Sequence, residues 1–224
     1  MKTRKVSLIA GIAVCSLVVL FTVVYAVITD AFVLAEKYVP PCDIEESYAK
    51  DAIEWVVKNK WMSVETMDDR AYFFPKTEVT RGEIAKILAN YLDIDCKEYE
   101  KAALGFADES QIPSPDLAYV RAVLSGGYVK LFGDYTYRAA AFVTREEAAD
   151  IFAPLCSASV SAGKSEDFPD FSEVNPYFED HMKKIVDLEV MIGYPDGMLR
   201  PKRAITREEM AMVLYRLSLL EQSS

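Results

Sequence analysis

The sequence predicts an all-α protein made of three helix–loop–helix units in a pseudo-threefold prism, preceded by an apolar N-terminal helix. Three observations carry that expectation. A tetrapeptide recurs three times, as Thr80-Arg81-Gly82-Glu83, Thr144-Arg145-Glu146-Glu147 and Thr206-Arg207-Glu208-Glu209, with the threonines 64 and 62 residues apart. Apolar residues follow each threonine at offsets +4, +7, +8 and +11, the spacing that draws one stripe down an α-helix. A second amphipathic segment precedes each copy at a similar distance. Repeats of such a length point to units that cannot bury an apolar face alone and must share a core with their neighbours.

The elements follow in chain order. Met-Lys-Thr-Arg-Lys opens the chain, and an uncharged run of 23 residues extends from Val6 to Ile28. As a helix that run would be about 34 Å long, enough for a hydrocarbon core of roughly 30 Å. A cationic start before an apolar run reads as an export signal, cleaved after Ala26 or Ala35, or retained as a membrane anchor over residues 6–28. Residues 1–35 are set apart as this segment. The first unit, residues 40–95, carries Ile53, Val56 and Val57 before its motif and Ile84, Ile87, Leu88 and Tyr91 after it. The second, residues 104–156, has Val120, Val123 and Leu124, then Ala148, Ile151, Phe152 and Leu155, with Pro154 ending or bending the helix. The third, residues 166–220, has Phe178, Met182, Ile185 and Val186, then Met210, Val213, Leu214 and Leu217. Leu124 to Thr144 and Val186 to Thr206 are both 20 residues, whereas Val57 to Thr80 is 23, so the first loop contains an insertion of three. Residues 157–166 (SASVSAGKSE) read as a flexible linker.

Composition narrows the function classes. With 25 Lys+Arg against 35 Asp+Glu the formal net charge is −10. Without residues 1–35 the balance is 22 basic against 34 acidic. Bulk positive charge for nucleic-acid binding is absent. The single histidine, His181, removes most routes to a zinc centre or a histidine-driven triad, and it reads as a surface residue of the third unit. Cys42, Cys96 and Cys156 show no CxxC spacing, so no metal or redox site is expected, and their disulfide state stays open. No metal or cofactor is implied, and the chain reads as a non-enzyme. Acidic pairs such as Asp68-Asp69 and Glu146-Glu147 are read as solvated charges rather than a glycosidase pair.

Thr-x-x-Glu is a capping box: the threonine hydroxyl accepts from the N3 amide while the glutamate accepts from the threonine amide. This accounts for Thr80/Glu83, Thr144/Glu147 and Thr206/Glu209 without a ligand. It leaves Arg81, Arg145 and Arg207 unexplained, because the helix dipole disfavours a cation at the first helical position. A guanidinium beside the amides of a helix N-terminus suits an anion, and arginine matches a carboxylate bidentately. The loop before the third motif, Gly193-Tyr194-Pro195-Asp196-Gly197, is a turn in which proline presets φ and glycine accepts positive φ. Tyr194 there offers a ring face and a hydroxyl, either to a sugar or to the packing beneath the loop. Trp61, near the first loop, could likewise support a sugar.

The motifs resemble those of the S-layer homology domain, with its Phe-x-Asp opening, Gly-Tyr-x-Asp-Gly-x-Phe-x-Pro loop and Thr-Arg-Ala-Glu helix start. The third unit is similar throughout, with Phe168-Pro169-Asp170, the Gly193–Gly197 loop, Pro201 and the Thr206 motif. The second keeps Phe106-Ala107-Asp108, Gly127-Tyr128, Asp134, Tyr137-Arg138 and the Thr144 motif. It places Leu131 and Tyr135 where the loop glycines belong, and Ala139 where the proline belongs. The first keeps Phe73, Pro75 and the Thr80 motif. The resemblance implies non-covalent binding to a secondary cell-wall polysaccharide, often a pyruvylated glycan, with the motif arginine on the acidic ketal. It thereby nominates Arg81, Arg145, Arg207, Gly193, Tyr194, Asp196 and Gly197 as ligand contacts, and a location at the bacterial cell surface. The competing expectation is a membrane-anchored extracellular scaffold that holds an exported protein partner and binds little glycan.

Overall fold

The computed structural model describes residues 38–158 and 163–222. The expected signal or anchor segment and the two expected cleavage points therefore lie outside the described residues. Among those described, the chain is mainly helical, with six α-helices and one small hairpin. They are α1 Lys50–Lys58, α2 Arg81–Tyr91, α3 Ser114–Ser125, α4 Arg145–Phe152, α5 Glu179–Asp187 and α6 Arg207–Gln222. None of the described helices is long and apolar enough to cross a membrane.

Helix starts follow the repeated motif. Thr80 and Thr144 are N-caps in extended backbone, and each hydroxyl accepts from the amide of Glu83 or Glu147. Thr206 accepts from Glu209 in the same way. The box is complete in the last two copies, where Glu147 and Glu209 accept from the threonine amides at 2.8 and 3.0 Å. In the first copy Glu83 turns away to pair with Arg207. Helix α4 stops after eight residues and passes into a 3-10 turn, Ala153–Leu155, where Pro154 cannot continue the ladder. The three-residue excess in the first loop is a β-hairpin, β1 Glu65–Met67 paired antiparallel with β2 Arg70–Tyr72. Of the expected linker, residues 159–162 lie outside the described residues. Lys164–Asp167 are a 3-10 turn held by the Ser165 amide donating to Asp187, so this half is fixed in place by a buried carboxylate.

The helices do not pair within their own units. Helix α2 packs on α3, α4 on α5, and α6 on α1, so each capped helix covers the first helix of the next unit and the last closes onto the first. Closure is repeated in the backbone: the Val143 amide donates to Val79, Val79 to Ile205, and Ile205 to Val143, at 2.9–3.0 Å. These three residues are fully buried. The apolar stripes meet in one core that includes Ile53, Val56, Leu88, Val123, Ile185 and Leu214. A lone hairpin of this size could not exclude water from its stripe, whereas the ring buries all of them.

Each unit also ties its loop with one aspartate. Asp43 accepts from the amides of Phe73 and Phe74, Asp108 from Tyr137 and Arg138, and Asp170 from Leu199 and Arg200, at 2.7–2.8 Å. The second residue of each pair, Phe74, Arg138 or Arg200, has φ of 56, 59 or 52°. The first unit thus has the same loop closure as the others, through an aspartate that the sequence reading did not single out.

Candidate functional site

The motif arginines lie where each capped helix meets the next unit's loop. Arg81 donates through Nε to the Tyr137 carbonyl and through Nη2 to that of Lys130. Arg145 does so to Leu199 and Ile192, and Arg207 to Phe73 and Ser63. The amides at the first two helical positions are occupied as well: Arg145 and Glu146, for example, donate to the carbonyls of Arg203 and Pro201. The helix N-termini that the sequence left open to an anion are therefore closed by the neighbouring unit. Arg81 and Arg145 are buried, and each guanidinium also lies 4.5–4.9 Å from an aromatic ring at the loop, Tyr137, Tyr194 or Phe73. The role that explains a cation at the first helical position is a clasp between units, worth about 1.5–3 kcal/mol per charged hydrogen bond.

What remains for a ligand differs among the three guanidinia. Arg207 has a partner at each of its three nitrogens, because Nη1 pairs with Glu83. Burial lowers its pKa to about 10, against the opposing charges of Glu65 and Asp43. Arg145 keeps Nη1 at 3.9 Å from Glu209, beyond hydrogen-bond length.

Three grooves surround these arginines. The Arg145 groove is a cavity of about 700 Å³ that brings Lys76, Arg145, Arg203 and Arg216 against only Glu208 and Glu209. The Arg81 groove is a cavity of about 420 Å³ in which Arg81 and Lys130 are balanced by Glu147 and Asp150. The Arg207 groove is a cavity of about 540 Å³ that carries three cations among four carboxylates. Of the three, the Arg145 groove alone has more lysines and arginines than carboxylates, and in the second His181 is bonded to Asp150 at 2.6 Å.

Tyr194 sits inside the Arg145 groove rather than on its rim. Arg145, Arg200 and Arg203 lie 4.5–5.0 Å from its ring, and its hydroxyl donates to Glu209 at 2.5 Å. Burial, offset by the Arg145 charge and reinforced by that hydrogen bond, holds its phenol above the usual value. Gly193 is required by close packing, since a Cβ there would meet Phe168 at 2.2 Å. Gly197 has φ +80° and donates to the Tyr194 carbonyl. Asp196 accepts from the Met198 amide and pairs with Arg200, which lowers its pKa. Gly193, Asp196 and Gly197 thus shape the loop, and Tyr194 joins the loop to the groove.

Several groove residues carry no motif. Tyr48 and Tyr177 are exposed aromatic walls of the Arg145 and Arg81 grooves, each below a lysine, Lys76 or Lys130. Arg203 belongs to the third unit alone, where the other units have Thr77 and Ala141. Lys76 and Lys202 bind Glu208 and Glu146 across two of the unit boundaries, at 2.5 and 2.7 Å. The matching Lys-Thr and Lys-Arg stretches after Pro75 and Pro201 were the available signal. Among the described residues no cluster of His, Cys, Asp or Glu is arranged to hold a metal.

Comparison with known proteins agrees with this geometry. Residues 105–149 and 167–211 match the model of the S-layer homology domain, covering the second and third units and leaving the first outside the match. The chain is also similar to Cell surface glycoprotein 1 of Acetivibrio thermocellus, 26% identical over 157 residues. That alignment covers 64% of this chain and 6% of the relative.

Proposed function

We propose that residues 40–220 are a wall-binding module of three S-layer homology repeats, the first one divergent, arranged as a prism. The module holds the protein at the bacterial cell surface by binding a secondary cell-wall polymer without a covalent bond. Two units match the family, and Asp43, the Phe73–Phe74 loop and the Thr80 cap support the first as a third repeat. The cationic start and apolar run at residues 6–28 support export. The acidic units of the polymer, such as pyruvate ketals, bind in the Arg145 groove. The observation that carries this is the excess of cations there, four against two, beside an arginine nitrogen with no hydrogen bond. The reading is of a binding module, not a catalyst.

Arg145 is a poor first mutant, because its removal also opens the clasp. Arg203 is exposed, and its guanidinium reaches only the groove residues Glu209 and Tyr194, so it tests binding with little effect on folding. Wall co-sedimentation and calorimetry with intact and acid-treated, ketal-stripped polymer are the assays. Arg203→Ala is expected to weaken binding to intact polymer about tenfold, and stripping is expected to weaken binding of the parent. Equal affinity for both polymers, or full retention by Arg203→Ala, would show that the groove does not read the acid.

A further inference from the structure

The boundary between the first and second units lacks a device that the other two share. At those two, a buried glutamate in the first turn, Glu146 or Glu208, reaches a lysine of the next unit. Here the same positions hold Gly82 and Ala140. The cavity of about 540 Å³ opens at that gap, with Gly82, Ala139 and Ala140 in its wall. A hollow of about 280 Å³ shares Ser63, Glu83, Lys86 and Asp116 with it and reaches Trp61 and Tyr119. The shared walls make one cleft, of the size of small-molecule sites.

The cleft's cations are already matched by the protein. Arg207 pairs with Glu83, Lys86 with Asp116 at 2.7 Å, and Arg138 with Asp134 at 2.9 Å. Asp108 holds two backbone amides. An entering acid would meet four carboxylates of the cleft against three cations, each of which already has an acidic partner. The rest of the lining offers what an uncharged polyol needs. Thr77, Gln111 and Asn90 bring hydroxyl and amide groups, and Trp61, packed edge-to-face with Tyr91 at 4.9 Å, brings an indole.

We propose that this cleft binds an uncharged saccharide segment, with Trp61 as its stacking platform, and so forms a subsite chemically unlike the Arg145 groove. It deepens the wall-glycan reading by assigning neutral sugar residues to one boundary and acidic residues to another.

The full chain in mild detergent is titrated with an uncharged trimer of N-acetylglucosamine and, separately, with intact acidic wall polymer. Tryptophan emission and heat are followed. The parent binds the trimer with a change in emission, and Trp61→Ala lowers the affinity at least tenfold. The double variant Gly82→Glu/Ala140→Lys restores the pair found at the other boundaries and fills the gap. It loses trimer binding to the same extent while melting at or above the parent temperature, which separates loss of the site from loss of the fold. Arg203→Ala binds the trimer within twofold of the parent. No trimer binding by the parent at millimolar concentration, or trimer affinity that survives both cleft variants, overturns the proposal. Failure of the acid reading alone would appear as unchanged acidic-polymer affinity in Arg203→Ala with the trimer results intact.

Discussion

Replacing Asp170 by alanine should cost more stability than the same substitution at Asp43 or Asp108. Its carboxylate is 4% exposed and accepts from Leu199 and Arg200 at 2.8 and 2.7 Å. Each hydrogen bond to a charged group contributes about 1.5–3 kcal/mol, and Leu199, fully buried, leaves its amide without water. Allowing for non-additivity, the expected loss is about 3–5 kcal/mol. At about 2–4 °C per kcal/mol for a domain of this size, the melting temperature falls by about 6–20 °C. Asp43 and Asp108 make the same pair of bonds but are only half-buried, so their alanine variants should lose about 1.5–3 kcal/mol each. Urea unfolding followed by far-ultraviolet circular dichroism reads all three midpoints. The reasoning fails if Asp43→Ala unfolds with the parent while Asp108→Ala is shifted. That result would mean the first unit's loop is not closed as the other two are.

Two further outcomes follow from the loops. Tyr135 stands at φ 58° where the third loop has Gly197, and its side chain is 72% exposed. A left-handed residue costs about 1–2 kcal/mol, and glycine returns about 0.5–1 through added freedom of the unfolded chain. Tyr135→Gly should therefore stabilise by about 0.5–1 kcal/mol in the same urea assay, and a destabilisation would contradict the strain. Gly193→Ala forces a Cβ against the Phe168 ring and the Met198 carbonyl. Overpacking of this kind costs about 1–3 kcal/mol, and it should also weaken binding in the Arg145 groove because the loop carries Tyr194. An unchanged melting temperature would show that Phe168 swings aside.

Much of the fold was legible because caps and stripes are local. Thr144 and Glu147 lie three residues apart, and their reciprocal hydrogen bonds need no distant partner. The stripe of Met210, Val213, Leu214 and Leu217 states a buried face wherever that face goes. The arginines were legible as an anomaly, a cation where the dipole disfavours one, but not as clasps. Arg81 binds carbonyls 56 and 49 residues away. Every residue has a backbone carbonyl, so no residue type marks the partner. The free helix amides expected beside each arginine were lost for the same reason: their acceptors belong to the next unit's loop.

The sequence by itself determined the three motif-capped helix starts, the apolar stripes that follow them and the turn of the third loop. Periodicity and capping are read within a few residues of one another, so one chain suffices. Only the tertiary structure decided that the helices pair between units, that Asp43 closes the first loop as Asp108 and Asp170 close theirs, and that the three grooves differ. Those differences are sums over residues far apart in sequence: Arg145 with Arg203 and Lys76, or Gly82 opposite Ala140. A groove's charge and volume exist only once the ring has closed, because each wall comes from a different unit.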